Sequence, residues 1–342
     1  MKIAVDGMGG DRAPGVIVEG SIRAALEFGY DIILVGDRDL LEKELYKQRS
    51  HFEKLSGLSK NGRAGKIEVY HAPEAIGMDE LPAVSVRRKK DSSINLSVNL
   101  VKERKADAVV SAGNTGAVVC ATSLNLKLLK GVERPGIAVV IPALLGTSLL
   151  IDVGANIDPK PIHLLQYGIM GDVYSKFILN KKNPRIGLLN VGKEESKGTE
   201  FVKETHKLLE SSRLRFIGNV EGRDLFIGKC DVIICDGFVG NVALKVSESL
   251  AFALGELLKR ELLKNFMSRV GALLSKTAFN ALKKEIDYAE YGGAPLLGID
   301  GICIISHGGS SAKAIKNAIR TAGDFVNHKV NQHIVEAINV NN

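Results

Sequence analysis

Tryptophan is absent from this 342-residue chain, and all aromatic residues together make up only 5% of it. No basic segment is interleaved with aromatic side chains, which argues against nucleic acid as a partner. Cysteine is scarce too: Cys120, Cys230, Cys235 and Cys303 lie in apolar surroundings without a C-x-x-C pair. They read as small buried hydrophobes in a reducing cytoplasm, not as a disulfide frame or a zinc site. The seven histidines (51, 71, 163, 206, 307, 328 and 333) show no metal-ligand spacing. Neither H-E-x-x-H nor G-x-S-x-G occurs, and no cysteine sits beside a histidine, so a covalent acyl-enzyme lacks an evident nucleophile. One charge-free run, residues 135–151, counts only 17 residues and is broken by Pro135, Pro142 and Gly146-Thr147-Ser148. Two short buried strands fit it better than a membrane span. The chain opens directly on a strand pattern, with no signal peptide, and a cytoplasmic protein is expected.

What is present is ordinary for a globular α/β protein. Hydrophobic residues are 45% and charged residues 25%, which excludes wholesale disorder. The 46 basic and 39 acidic residues leave a net charge of +7, suited to anionic substrates, acidic partner proteins or anionic lipid surfaces. Short β-branched runs at 2–5, 31–35, 67–70, 107–110, 137–141, 148–152, 185–190, 215–218, 231–235 and 302–305 read as strands. Helical patterns fall near 14–28, 38–48, 94–104, 116–129, 161–179, 196–211 and 310–328. The alternation predicts a doubly wound, mostly parallel sheet with helices on both faces, and one antiparallel pair where 147–152 follows 136–141. Residues 56–65 read as a surface loop, and the polar tail from about 329 as frayed. Residues 1–330 form one unit on this reading.

One stretch breaks the rhythm. From 242 to about 288 the pattern is helical throughout, with Leu250, Leu254, Leu257, Leu258, Leu262, Phe266, Val270, Leu273 and Leu274 at roughly helical spacing. Seven Lys/Arg and two Glu fall within 255–284. A protruding helical arm is expected, packing against a second copy of the chain, resting its tip near 266–279 on an anionic membrane, or both.

Six glycine-rich or amide-bearing turns follow strands. They are Asp6-Gly7-Met8-Gly9-Gly10-Asp11, Ser111-Ala112-Gly113-Asn114-Thr115-Gly116-Ala117, Asp152-Val153-Gly154-Ala155-Asn156, Asn190-Val191-Gly192 leading to Lys197 and Thr199, Asp236-Gly237-Phe238-Val239-Gly240-Asn241, and Ser306-His307-Gly308-Gly309-Ser310-Ser311. Backbone N–H groups in such turns, with a helix N-terminus behind them, bind anions. Gly7-Met8-Gly9-Gly10-Asp11-Arg12 fails the dinucleotide fingerprint, because Arg12 replaces the third glycine and Asp11 would crowd a pyrophosphate. Gly187 to Glu194 fails the P-loop pattern, lacking the Ser/Thr that holds magnesium. The expectation is that strand-end loops converge on one crevice that handles free phosphate.

The motifs MGGDRAP at 8–14, SAGNTGA at 111–117, DVGAN at 152–156, GLLNVG at 187–192, GFVGNVALK at 237–245, APLLGIDG at 294–301 and HGGSSAKA at 307–314 resemble those of the PlsX-type phosphate acyltransferases of bacterial phospholipid synthesis. The likeness runs from Lys2 to about Ala322; Gly7, Lys193 and Thr199 depart from the family pattern. The resemblance implies transfer of a fatty acyl group from acyl carrier protein to inorganic phosphate, and product hand-over to a membrane glycerol-phosphate acyltransferase. It also implies a homodimer loosely associated with the membrane, no cofactor, and a fold shared with phosphotransacetylases and isopropylmalate-type dehydrogenases. The residues suit that chemistry independently. Phosphate is already an anion near neutral pH, so positioning and oxyanion stabilisation are the main tasks. Ser111, Gly113, Thr115 and Gly116 suit phosphate, with Gly308, Ser310 and Asp11 shaping or binding nearby. Asn114, Asn156 and Asn241 are neutral donors for phosphate or oxyanion, although the first two equally suit helix caps or Asx-turns. Lys245 or Lys197 would balance developing charge, and His307 would serve the oxyanion or the leaving thiolate. Each also has a plain reading, as a solvated lysine or a structural histidine. Arg87-Arg88-Lys89-Lys90 is a solvated face or a dock for an acidic carrier protein. An acyl-CoA phosphotransacetylase and a non-catalytic lipid-surface scaffold are the competing readings.

Overall fold

The computed structural model describes residues 1–53, 64–286 and 291–341. The chain runs β1 (Lys2–Asp6), α1 (Gly15–Phe28), β2 (Asp31–Gly36), α2 (Arg38–Glu53), β3 (Ile67–His71), α3 (Pro82–Arg88), α4 (Ser93–Lys102) and β4 (Ala108–Ser111). Next come α5 (Thr115–Leu126), the hairpin β5 (Gly136–Ala143) and β6 (Gly146–Ile151), then α6 (Pro161–Phe177), β7 (Ile186–Leu189), α7 (Glu200–Glu210), β8 (Phe216–Val220) and β9 (Val232–Ile234). Three helices form the arm: α8 (Gly237–Leu263), α9 (Phe266–Leu274) and α10 (Lys276–Ile286). The chain finishes with β10 (Ala294–Leu297), β11 (Cys303–Ile305), α11 (Ala312–Asn327) and α12 (Val330–Asn341).

The strands join one 11-stranded sheet in the order β3-β2-β1-β4-β11-β10-β5-β6-β9-β7-β8. Strand residues alternate between two cores. Ile3 and Val5 face a layer built with α1, α6, α11 and α12, while Ala4 faces a layer built with α4 and α5. Covering both faces explains why the strands are apolar on both sides. Gly20 of α1 lets that helix approach α11 closely, since a Cβ there would lie 2.6 Å from Ile315 Cβ.

Strand direction divides the sheet. β1, β2, β3, β4 and β11 are mutually parallel, and so are β6, β9, β7 and β8. Between the blocks, β11–β10, β10–β5 and β5–β6 are each antiparallel. Three successive reversals leave the two blocks pointing in opposite directions. Their carboxyl-end loops therefore lie at opposite sheet edges, and the six glycine-rich loops fall into two groups of three.

Other expectations also shift. The 135–151 run is the β5–β6 hairpin, as its breaks implied. β10 and α3, absent from the strands and helices anticipated, are regular elements. The tail is not frayed: α12 buries Val330, Ile334 and Ile338. Cys230, Cys235 and Cys303 are buried, whereas Cys120 is only half-buried. Most of the 56–65 loop, and residues 287 and 288 of the arm, lie outside the described residues.

The arm stands out of the sheet. α8 buries only Gly237 and Gly240, and Leu250, Phe252, Leu254, Phe266, Leu273 and Leu274 are all exposed. Among the described helices, α8 alone is long and apolar enough by length and composition to cross a membrane. It begins as an extension of β9, with Asp236 as its N-cap accepting from Val239 N at 2.9 Å.

Candidate functional site

At one edge, the loops after β1, β4 and β11 are knitted together. Asp6 ends β1 fully buried, and burial pushes its carboxyl above the usual aspartate range. Ser111 Oγ donates to Asp6 Oδ2 at 2.7 Å and accepts from Gly113 N at 3.1 Å. Gly9 packs against this turn so tightly that a Cβ would sit 2.6 Å from Gly113 N. The Asp11 N–H donates to Gly308 O at 2.9 Å. Arg12, the residue that breaks the dinucleotide fingerprint, donates through Nη2 to Gly309 O at 2.7 Å and Ser310 O at 2.9 Å. His307 is exposed, and its Nδ1 accepts from Gly309 N at 3.1 Å.

These bonds sort the residues anticipated for phosphate. Ser111 and Gly113 spend their donors within the turn. Asn114 is the N-cap of α5, its Oδ1 accepting from Ala117 N at 3.1 Å. Its Nδ2 donates to Met78 O at 2.9 Å and Glu80 O at 3.1 Å, strapping residues 77–81 over the helix start. The plain reading of Asn114 as a cap is the one its bonds match. With Ala117 N on Asn114 Oδ1 and Val118 N on Asn114 O, the N–H groups of Thr115 and Gly116 remain at the helix tip. The strap itself is clipped by Glu80, which accepts from Lys89 Nζ at 2.5 Å, Gly77 N at 2.8 Å and Ser85 Oγ at 2.8 Å.

At the other edge, a second buried carboxylate organises the loop after β6. Asp152 Oδ1 accepts from Ile137 N at 2.9 Å, Gly154 N at 3.1 Å and Ala155 N at 3.0 Å, and Oδ2 accepts from Asn156 N at 2.7 Å. Burial raises its pKa, and these four N–H groups oppose the rise. Asn156 Nδ2 donates to Pro135 O at 2.5 Å and to Tyr167 Oη at 2.8 Å. The loop after β9 rests on this knot: Gly237 N donates to Asn156 O at 2.8 Å, and a Cβ on Gly240 would strike Asp152 O. Exposed Asn241 stands against Gly154, whose Cβ position lies 3.7 Å from Asn241 Cγ. Lys245, one turn on, pairs with Glu248 at 2.9 Å. Lys197 is exposed in the loop after β7, its carbonyl accepting from Asn190 Nδ2 at 3.1 Å.

The two edges communicate through a crevice of about 420 Å³ on the α5 face of the sheet. Gly116, Val119, Cys120 and Ser123 of α5 form one wall, at the i, i+3, i+4, i+7 spacing of a single helix face. Pro82 and Ala83 border its α3 side, and Glu133–Pro135 with Gly154–Asn156 its far side. Of the anticipated residues, Gly116 and Asn156 line it, and Asn241 adjoins it through Gly154. Thr115 lies next to Gly116. Ser111, Gly113 and Asn114 form the turn that leads into Gly116, while Asp11, His307, Gly308 and Ser310 form the neighbouring loop cluster. Arg134 and Pro82 went unnoticed in the sequence, and Cys120 was read only as a small buried hydrophobe; nothing in their local pattern marks a site, because only the reversed sheet brings residues 82, 120 and 134 together.

This fold, an α/β sheet wound on both faces, is shared with solved structures of phosphotransacylases. The phosphotransacetylase of Streptococcus pyogenes superposes with a TM-score of 0.60 at 19% identity, covering 96% of this chain and 94% of that one. A branched-chain phosphotransacylase from Enterococcus faecalis gives 0.57 at 14% identity, covering 95% and 99%. These likenesses concern the fold. In sequence, the model of the family described as "Fatty acid synthesis protein" matches residues 1–333, and the chain belongs to that family. The "Phosphate acyltransferase" of Geotalea uraniireducens is 52% identical over 341 residues, covering 100% of this chain and 95% of the relative. The "Phosphate acyltransferase" of Pelobacter propionicus is 50% identical with the same coverage.

Proposed function

We propose that this protein is a phosphate acyltransferase that moves a fatty acyl group from an acyl-carrier-protein thioester to inorganic phosphate. The observation that carries the reading is the crevice joining the α5 tip, with its two N–H groups, to the Asn156 and Asn241 loops. A phosphate oxygen attacks the thioester carbonyl carbon, a tetrahedral oxyanion forms, the C–S bond breaks and the thiolate takes up a proton. Acyl phosphate and the free carrier thiol result. Thr115 and Gly116 hold phosphate, Asn241 donates to the oxyanion, and Lys245 or Lys197 offsets the growing charge. His307 supplies the leaving thiolate's proton. Cys120, the one thiol in the crevice, is kept protonated because burial raises its pKa, which supports direct attack by phosphate over an acyl-enzyme.

The carrier protein docks on Arg87, Arg88 and Lys90, which are exposed, make no ion pair among the described residues, and lie beside the Pro82–Ala83 lip. The exposed apolar arm pairs two copies of the chain and brings its tip to an anionic membrane surface, placing a cytoplasmic enzyme where a membrane glycerol-phosphate acyltransferase takes up the product.

Thiol release from long-chain acyl carrier protein, measured with and without added phosphate, tests the activity. Strict phosphate dependence is expected; equal release without phosphate would make the protein a thioesterase. Acetyl-CoA as the preferred donor would make it a phosphotransacetylase, the reading its fold also allows. Flotation with anionic liposomes, comparing wild type with a variant bearing charged residues at Phe266, Val270 and Leu274, tests the membrane contact. Unchanged flotation would remove it.

A further inference from the structure

The crevice has two chemically distinct parts. Its α5 side is Val119, Cys120 and Ser123, continued by Leu128 and the ring of Pro82. Its far side carries one cation and one anion, Arg134 and Glu133. Glu133 is turned away to α6, where its Oε2 lies 3.2 Å from His163 Nε2. Arg134 is exposed and makes no ion pair among the described residues. Beside it, Asn156 is uncharged, and the buried Asp152 carboxylate accepts four backbone N–H groups. A cation that makes no ion pair, beside an apolar wall, fits a ligand with a matching pair of ends.

We propose that the crevice seats an acyl phosphate, with its phosphate head held between the α5 tip and Arg134 and its alkyl chain along Val119, Cys120 and Leu128. Arg134 is then the residue that retains the head group after the C–S bond has broken, and the α5 face sets the chain length accepted. The guanidinium offers two N–H groups side by side, which match a phosphate in a way a lysine ammonium does not. The inference rests on the acyl-transfer reading for the identity of the ligand, but its test needs no turnover.

Dodecyl phosphate and butyl phosphate serve as unreactive probes, with binding followed by isothermal titration calorimetry. Wild type is expected to bind dodecyl phosphate more tightly than butyl phosphate. Arg134→Ala weakens both roughly tenfold or more, the loss of a charge-assisted hydrogen bond, and Arg134→Lys restores only part. Val119→Phe weakens dodecyl phosphate selectively and leaves butyl phosphate bound. Circular dichroism and melting curves confirm that each variant folds. Failure of wild type to bind dodecyl phosphate, or equal affinity in Arg134→Ala, overturns the proposal. Lack of phosphate-dependent thiol release in wild type would instead overturn the activity while leaving the binding result intact.

Discussion

Ser111 donates its hydroxyl to the buried carboxylate of Asp6 across 2.7 Å, so the loop after β4 is held from beneath by the end of β1. Ser111→Ala removes a donor from a carboxylate that has no access to water. We expect a loss of about 1–3 kcal/mol, read by urea unfolding, together with reduced turnover as the Gly113 turn loosens. Asp6→Asn adds a pH signature. Because burial raises the Asp6 pKa in the fold, ionising it costs stability. The wild type therefore compares best with Asp6→Asn in acid and loses ground as pH rises through the unfolded and then the folded pKa. A pH-independent difference between the two would contradict this.

Asn114 joins two roles that the sequence left open. Asn114→Ala loses an N-cap, about 1 kcal/mol, and also frees residues 77–81. Hydrogen exchange should quicken in that segment and at the start of α5 while the rest of α5 stays protected. Asn114→Asp keeps the cap but not the Nδ2 donors, so only the strap should loosen.

The Glu80 clip titrates. Its carboxylate is held down to about 2, chiefly by its hydrogen bond from Lys89, then by Gly77 N and Ser85. A depressed carboxylate pKa stabilises the fold above the ordinary value near 4.5 and loses that contribution as pH falls towards about 2. Wild type should show this extra loss on melting between those limits, and Glu80→Gln should not.

Asn241 and Lys245 are exposed on the first turns of α8, and the Lys245–Glu248 pair is a surface contact worth at most about 1 kcal/mol. Asn241→Ala or Lys245→Ala should lower turnover strongly while the melting temperature barely moves. Parallel losses of both would reassign these residues to structure.

Ile334 is fully buried in α12. Ile334→Ala is expected to cost about 2–5 kcal/mol, a result that a frayed tail would not give and that thermal unfolding would show.

Much of this molecule could be read from residue order, and the failures have physical causes. The parallel strands were plain because burial on both faces makes them continuously apolar. β10 was hidden because it is four residues long and contains Pro295, a residue that argues against an interior strand. The Val330, Ile334 and Ile338 stripe of α12 was masked by the surrounding asparagines, although its i, i+4, i+8 spacing was there to be seen. The glycine-rich turns were located, but their division into two groups was not visible, because side-chain periodicity says nothing about strand direction. Asn114 read equally as a ligand donor or a cap, because an amide at a helix start has the same local pattern whether it meets an anion or strap carbonyls. Arg134 had no signal at all, since its meaning comes from neighbours at 119, 120 and 156.

The interior place of β11 has a consequence for how the chain comes to be folded. Val109 and its partner Cys303 are nearly two hundred residues apart in sequence. As the chain leaves the ribosome, β1 to β4 can assemble early but keep the inner edge of β4 unpaired until the last strand has emerged. Nascent chains spend most of their synthesis with a sticky apolar edge on show, so the closing of the sheet is slow, non-local and the step most open to misassembly.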